Sequence, residues 1–519
     1  MKTPLRRYAH ETDLYVDFTN GESSLADLVI THGGPYFRKL AIWLQSHLWL
    51  LLLGIASELV YYFYLLRNFP VMHDYYHLDT MGGIAGYTHA GLLTYLIAFS
   101  SLFVLFGFAW WETRRFQDHT TLWIILSFGG IFALTTMFVY PVTAIDIFNY
   151  IAYGLLLVQH HANPMITPPS RFIADPLMGL AGGFIDQPSP YGPLGQLIQA
   201  LPVAIGGRNI LASLLLLKFM SSGMLVISAF FVYKILFPIK PEFALPGVLA
   251  LAWNPFALFE FCANGHNDIV MMLLIILAIF TLRNEHPVWA LTLITASALI
   301  KFASLPLIPL FFIYSYSHQP TLRKRIVYTI EASICSAVLA FICFAPFWAG
   351  PQTFARFFSE IGYQKYSFSN FLQDSSSGHI SLQQAKVIGW ALFGNCFIYA
   401  FWLSSKDFSG LLKGCYITMF ALLALSVTYI QPWYLIWPFV FAILIPQTRV
   451  SLAAILLTYC ATLAELGQAY IFTWGPNKAG SIVINSSFYL IIFFPPTLFL
   501  LVSRFSQIFS QPSSLPHQE

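Results

Sequence analysis

The chain passes from a long apolar stretch, TTLWIILSFGGIFALTTMFVYPV at residues 120–142, into the polar and aromatic segment DIFNYIAYG at residues 146–154. An apolar stretch of this length crosses a bilayer as a helix, because lipid offers the backbone no hydrogen-bond partner. Similar stretches recur from residue 40 to residue 503. With 57% hydrophobic and only 9% charged residues, the sequence predicts an all-α, polytopic integral membrane protein.

The apolar stretches predict about fourteen spans, or about twelve if the short runs 287–300 and 303–318 form a hairpin that turns within the membrane. Most of the 26 lysines and arginines lie in short loops on one side of the membrane, and the rest, including Lys218 and Lys301, lie on the other. Because positive charge concentrates in cytoplasmic loops, both termini are predicted to be cytoplasmic. The predicted regions are a cytoplasmic tail at 1–38, two spans at 39–119, a catalytic core at 120–350 with an outer loop at 143–208, an outer loop at 351–386, further spans at 387–504 and a tail at 505–519.

Polar motifs concentrate on the predicted outer face, and the largest group is the segment 146–202. Asp146 follows the third span, and Tyr150 continues the same helical face, so we expect a helix at the outer membrane surface. A partly desolvated carboxylate beside aromatic rings suits a general base for a sugar hydroxyl. The alternative is a solvated acid at the end of a span.

Further polar residues follow along the same face. In SPYGPL at 189–194 the flanking prolines form a rigid turn that could hold Tyr191 towards a ligand. Alternatively, the turn only shapes the loop. In WNPFALFEFCANGHND at 253–268, Glu260 lies inside a span, where a charge is expensive and points to function. His266, Asn267 and Asp268 follow in a tight turn, where they could bind a phosphate or a sugar. Alternatively, Asn267 and Asp268 only cap the next helix.

The remaining signals are weaker. Lys301, between two short spans, could pair with a lipid phosphate or extend to the headgroups. QPWYLIWPF at 431–439, with Trp433, Tyr434 and Trp437, offers an aromatic wall or an interface anchor. His73 and His77 have a spacing that zinc can use, but no third ligand is evident. We expect no metal and no cofactor, and no nucleic-acid motif is present. A nucleotide-sugar donor would need a soluble domain, which does not fit between the spans.

The motifs of this chain, taken together in their order, resemble those of the polytopic glycosyltransferases of the GT-C superfamily. They are D-I-F-N-Y-x-x-Y-G, N-P, P-P, S-P-Y-G-P-L, W-N-P, G-H-N-D, I-K-F and P-W-Y. The similarity covers roughly residues 120–440. It is greatest to the polyprenyl-phosphate-mannose-dependent mannosyltransferases, such as the bacterial alpha-1,6-mannosyltransferases. In many members the acidic residue follows the first span, whereas here it follows the third, so the two preceding spans have no assigned role.

The resemblance implies a GT-C-like helical bundle in a bacterial plasma membrane, acting in the cell envelope with its active site outside. It implies that a hexose, mannose in this family, passes with inversion from a polyprenyl-phosphate donor to a glycan or glycolipid acceptor. Asp146 would be the general base. The donor phosphate would be bound by Lys301, His266 and Arg171. The sugar and acceptor would be bound by Tyr150, Asn163, Tyr191, Glu260, Asn267, Asp268, Gln431, Trp433 and Tyr434. The alternative function is a transporter or flippase of a lipid-linked sugar.

Overall fold

The computed structural model describes residues 35–76, 78, 88–362, 366–474 and 480–510. It describes side chains for 47–76, 78, 88–359, 366–465 and 486–503. Within these ranges the regular structure is α-helix with short 3₁₀ and π-helical turns, and pairing between extended segments is limited to isolated bridges. The predicted all-α class is therefore confirmed.

The described chain contains eighteen α-helices of eight residues or more. They are α1 Pro35–Val60, α2 His89–Thr113, α3 His119–Met137, α4 Asp146–Val158, α5 Pro193–Gly206, α6 Ile210–Leu236, α7 Pro241–Ala252, α8 Asp268–Arg283, α9 Pro287–Ile300, α10 Leu307–Ser317, α11 Leu322–Phe344, α12 Ala355–Gly362, α13 Phe368–Ser375, α14 Leu382–Ser404, α15 Phe408–Ala421, α16 Ile436–Leu444, α17 Thr448–Trp474 and α18 Gly480–Ser510.

Eight helices of the described chain are long and apolar enough to cross a membrane. A ninth is added if α7 and the segment Pro255–Ala263, which meet at a bend of 41°, form one broken span. Several apolar helices are shorter, among them α4, α5, α9 and α16. The chain is thus a helical membrane protein, while the count of fourteen spans and the position of α4 at the membrane surface stay predictions.

Side-chain caps explain where several helices begin. The side chains of Thr88, Asp118 and Asn209 accept hydrogen bonds from backbone N–H groups in the first turns of α2, α3 and α6, at 2.8 to 3.0 Å. Each cap satisfies an N–H group that has no partner within its own helix. These polar residues stand at the ends of apolar stretches, so the chain turns at them.

The most buried part of the fold is built from α7, α8 and α16, in which most side chains are inaccessible. Around it, α7 packs on α6, α8 on α9, and α4 on α5. Lys218 lies within α6 rather than in a loop. Its side chain is fully buried, and its ammonium donates to the carbonyl oxygen of Val139. It therefore does not belong among the outer charges of the topology argument.

The chain forms two compact units, residues 1–51 and 52–519. The first contributes the beginning of α1 to the described residues. The second contains every residue of the site described below.

Candidate active site

Asp146 occupies the first turn of α4, where an acidic side chain interacts favourably with the helix dipole. Its side chain is 21% exposed, and its Oδ2 lies 3.7 Å from Nδ1 of the fully buried His266. Tyr150 lies one turn further along the same helix and is buried. The predicted helix start at Asp146 is confirmed. The carboxyl group is partly desolvated, but solvent still reaches it.

A buried ion pair forms the second part of the site. The Lys301 side chain is 15% exposed, and its ammonium lies 2.9 and 3.0 Å from the two carboxylate oxygens of the fully buried Asp268. Trp437 donates its indole N–H to the same carboxylate at 2.7 Å. Lys301 follows the last residue of α9, and Asp268 is the first residue of α8. The pair therefore joins two helix ends that are 33 positions apart in sequence.

Aromatic rings surround this ammonium. Lys301 Nζ lies 4.2 Å from the ring centre of Tyr434 and 5.4 Å from that of Trp437, distances at which a cation is attracted to the face of a ring. Tyr434 and Trp437 stack at 4.6 Å. Tyr191 and Tyr150 form a second aromatic pair, in which the two rings meet edge to face with their centres 5.3 Å apart. Burial raises the pKa of Tyr191, so its hydroxyl stays protonated.

A cavity of about 370 Å³ is lined by Lys301 and Tyr191 together with mostly apolar side chains. Lys301 is the one charged residue among the described residues that line it, and Ser426 and Thr428 contribute hydroxyl groups. The apolar lining consists of Pro190, Phe302, Ala303, Leu305, Pro306, Phe357, Trp390, Phe393, Leu422, Val427, Tyr429 and Trp437. An apolar group that carries one anion matches a lining of this kind.

A cluster of buried polar side chains surrounds His266. His266 Nε2 lies 3.4 Å from Glu260 Oε2, and Asn264 donates to that same oxygen at 2.9 Å. The buried carboxyl group of Glu465 interacts electrostatically with that of Glu260. The ring of Trp433 stacks on His266 at 3.8 Å. Burial lowers the pKa of His266 and favours the neutral imidazole.

The turn that carries His266 depends on one glycine. Gly265 adopts a φ of +74°, a backbone conformation that L side chains rarely adopt. A Cβ atom here would also lie 2.4 Å from the side chain of Ile147, in the first turn of α4. The close approach of this turn to α4 therefore requires the absence of a side chain.

Most of the predicted site residues come together. Contacts and electrostatic interactions link Asp146, Tyr150, Tyr191, Glu260, His266, Asn267, Asp268, Lys301, Trp433 and Tyr434. The roles given to these residues stay predictions. For His266 the geometry favours a role other than phosphate binding, because both ring nitrogens face carboxylates rather than the cavity.

Three predicted residues stand apart from this group. Asn163 donates to the carbonyl oxygen of Phe347 at 2.7 Å and accepts from the N–H of Met165, so its amide holds the outer loop. Arg171 is exposed on the 3₁₀ turn Pro169–Phe172. Gln431 precedes Trp433 and is partly exposed, without a described side-chain bond into the site.

Sequence reasoning named Trp437 as part of the aromatic wall but did not assign Asn264 and Glu465 to the site. Glu465 offered a signal, because it is a carboxylate within an apolar helix, as Glu260 is. Asn264 offered none, since amide side chains near span ends are common. Among the described residues, no group of three or more His, Cys, Asp or Glu side chains is arranged to hold a metal ion. His73 pairs with its neighbour Asp74, and His77 lies outside the described residues.

Two family models match the chain. Residues 53–317 match the model described as alpha-(1->6)-mannopyranosyltransferase, N-terminal domain, and residues 359–469 match the one described as MptB C-terminal domain. The first match includes Asp146, His266 and Lys301, and the second includes Trp433. A comparison with curated proteins gives no match.

Proposed function

The chain belongs to the alpha-(1->6)-mannopyranosyltransferase family, and from this premise we propose that it transfers mannose from a polyprenyl-phosphate donor to a glycan or glycolipid acceptor. That the chain is a glycosyltransferase follows from the family. The lipid-linked donor, the inverting reaction, the outer face and the roles of individual residues are our proposal.

The observation that carries the proposal is the mostly apolar cavity with Lys301 in its lining. A polyprenyl chain is apolar along its length and carries one anionic phosphate, and the cavity lining combines apolar side chains with one ammonium group. The ammonium has three donors, of which Asp268 uses two at most at 2.9 and 3.0 Å. Because Trp437 also binds Asp268, the carboxylate keeps Lys301 in place while the ammonium can still donate to a phosphate oxygen.

Asp146 is placed to act as the base. Its helix continues to Tyr150, whose ring contacts Tyr191, and Tyr191 lines the cavity beside Lys301. In the proposed step, Asp146 takes the proton of the acceptor hydroxyl while the hydroxyl oxygen bonds to the anomeric carbon. The bond from that carbon to the phosphate oxygen breaks, and its electron pair leaves with the polyprenyl phosphate. Lys301 stabilises the charge that develops on this leaving group.

The active site faces the non-cytoplasmic side in this proposal, since the positive-inside rule places the loop at 143–208 there. The lipid bilayer supplies the donor, which enters sideways between helices. No further cofactor takes part in the proposed reaction.

The test uses purified full-length protein with polyprenyl-phosphate mannose, or GDP-mannose, and a labelled acceptor. We expect transfer from the lipid donor only, and loss of transfer in Asp146→Asn with unchanged expression. Asp186→Asn is the matched control, because Asp186 is exposed in the same outer loop. Transfer from GDP-mannose alone would contradict the donor assignment, and full activity of Asp146→Asn would contradict the base. Movement of an intact donor across the bilayer without sugar transfer would instead favour a flippase.

A further inference from the structure

His266 lies between the carboxyl groups of Asp146 and Glu260. Nδ1 is 3.7 Å from Asp146 Oδ2, and Nε2 is 3.4 Å from Glu260 Oε2. The ring is fully buried, and neither nitrogen has a hydrogen bond among the described residues. Buried ring nitrogens without a partner are costly, which points to a role that completes during catalysis.

The orientation of this ring is fixed by packing. Trp433 stacks on one face with ring centres 3.8 Å apart and an angle of 15° between the planes. Because the stacked face cannot tilt far, the two ring edges keep pointing at the two carboxyl groups. Both distances are slightly longer than a hydrogen bond, as is common for catalytic contacts before substrate closes a site.

The neighbours of His266 also decide which nitrogen carries hydrogen. Burial lowers the pKa of the ring, so it is neutral and has a single N–H. Glu260 Oε2 already accepts a hydrogen bond from Asn264 at 2.9 Å and therefore acts as an acceptor. Carboxylate oxygens lie opposite both ring nitrogens, but Glu260 Oε2 is closer to Nε2, at 3.4 Å, than Asp146 Oδ2 is to Nδ1, at 3.7 Å. The shorter distance favours hydrogen on Nε2, which leaves the Nδ1 lone pair directed at Asp146.

We propose that His266 is a positioning residue for the general base, whose Nδ1 accepts a hydrogen bond from Asp146 once Asp146 has taken the acceptor proton. Glu260 holds the ring in the required tautomer. This inference rests on the proposed function, because it assumes that Asp146 deprotonates an acceptor hydroxyl.

The proton can be followed through the cycle. It leaves the acceptor oxygen, binds Asp146 Oδ2 and is shared with Nδ1 of His266, while the electron pair of the broken glycosidic bond leaves with the phosphate. After the product departs, the proton returns to water along the exposed side of Asp146, which is 21% accessible. The charged groups that face the ring are Asp146, Glu260, Asp268, Glu465 and Lys301.

This arrangement has a kinetic consequence. An acceptor at Nδ1 stabilises the protonated form of Asp146 and so makes it a stronger base. Without that acceptor, the acid limb of kcat/KM against pH should move to lower pH by about one unit, which is the effect of one ordinary hydrogen bond. The maximal kcat should fall roughly tenfold, while KM for the donor changes little because Lys301 is untouched.

Two substitutions separate this role from simple packing. His266→Asn keeps an amide oxygen near the position of Nδ1, whereas His266→Leu removes every acceptor. We expect Leu to move the acid limb and Asn to restore its position in part. His286→Asn, at an exposed loop histidine, is the control. A lower kcat in His266→Leu with an unmoved acid limb would overturn the proposal, as would equal profiles for Leu and Asn.

A second measurement does not depend on activity. Nitrogen-15 NMR of histidine-labelled full-length protein, with the His266→Asn variant to assign the signal, reports the tautomer directly. We expect neutral His266 with hydrogen on Nε2 at neutral pH, and hydrogen on Nδ1 or a protonated ring would overturn the inference. If wild-type protein transfers mannose and Asp146→Asn does not, the proposed function stands even when the His266 results fail. If wild-type protein transfers nothing, both ideas fall.

Discussion

Replacing Lys301 with methionine tests the buried ion pair most directly. The substitution leaves the Asp268 carboxylate fully buried, with Trp437 as its remaining described donor. At the observed separation of 2.9 Å, two unit charges attract by about 6 kcal/mol when the effective dielectric constant is near 20. Desolvation offsets part of this attraction, and removal of one partner from a buried pair typically costs about 3–5 kcal/mol. Lys301→Met should therefore unfold far more easily than the wild type.

The double variant Lys301→Met with Asp268→Asn separates stability from catalysis. An asparagine carries no charge, and its amide oxygen can still accept the Trp437 N–H, so most of the lost stability should return. Mannose transfer should stay absent in both variants, because neither offers an ammonium to the leaving phosphate.

The assay combines thermal unfolding in detergent with mannose transfer from the lipid donor, and Lys406→Met at an exposed site is the control. A Lys301→Met variant as stable as the wild type would show that the pair is not desolvated as described. Transfer by the double variant would refute the role of Lys301 at the phosphate.

Two further predictions concern the elements that hold the site. Gly192 donates its N–H to the carbonyl oxygen of Ile300 at 2.9 Å, and a Cβ there would lie 2.2 Å from the carbonyl oxygen of Leu299. Gly192→Ala should therefore displace the backbone before Lys301, cost about 1–3 kcal/mol of stability and lower the rate of transfer. Gly183 has open space around it, so Gly183→Ala should leave both stability and transfer unchanged. Equal unfolding temperatures and equal transfer rates for the two variants would contradict this prediction. Arg208 holds the pKa of Asp175 well below its ordinary value. The pair therefore stabilises the outer loop fully when the pH is above the ordinary pKa of an aspartate, and this stabilisation is lost as the pH falls through the lowered pKa. Asp175→Asn should accordingly increase amide hydrogen exchange in the loop at neutral pH, where the wild type is protected, and unchanged exchange would count against the pair.

The sequence was sufficient for the helical class, because apolar stretches of membrane-spanning length have few other solutions. It also located the helix that begins at Asp146 and several residues of the site. A hydropathy pattern does not reveal bends or short helices. The break between α7 and Pro255–Ala263 depends on the turn at Asn254, whose side chain accepts from the N–H of Phe256. Such local turns alter which residues lie at a given depth, and therefore the span count.

The partners within the site could not be predicted for a different reason. Glu260 and Glu465 are separated by about 200 positions, and Asp268 and Trp437 by 169 positions. Such pairs form only when distant helices pack, and one sequence without tertiary structure does not specify that packing. The phosphate contact of His266, which the family resemblance implied, stays a prediction, while its place in the turn before α8 agrees with the structure.

The turn Gly265–Asp268 joins the two chemical parts of the site. His266 points at Asp146, and Asp268, two residues later, binds Lys301. Between them, the side-chain amide of Asn267 is buried with no hydrogen-bond partner among the described residues. A buried amide of this kind loses the energy of the bonds it does not make, unless a ligand supplies them. We therefore expect a sugar hydroxyl to bind Asn267, since it lies between the proposed base and the proposed phosphate site. The turn thus carries one residue that faces the proposed base and one that holds Lys301, and the positive φ of Gly265 allows the turn to approach α4 closely.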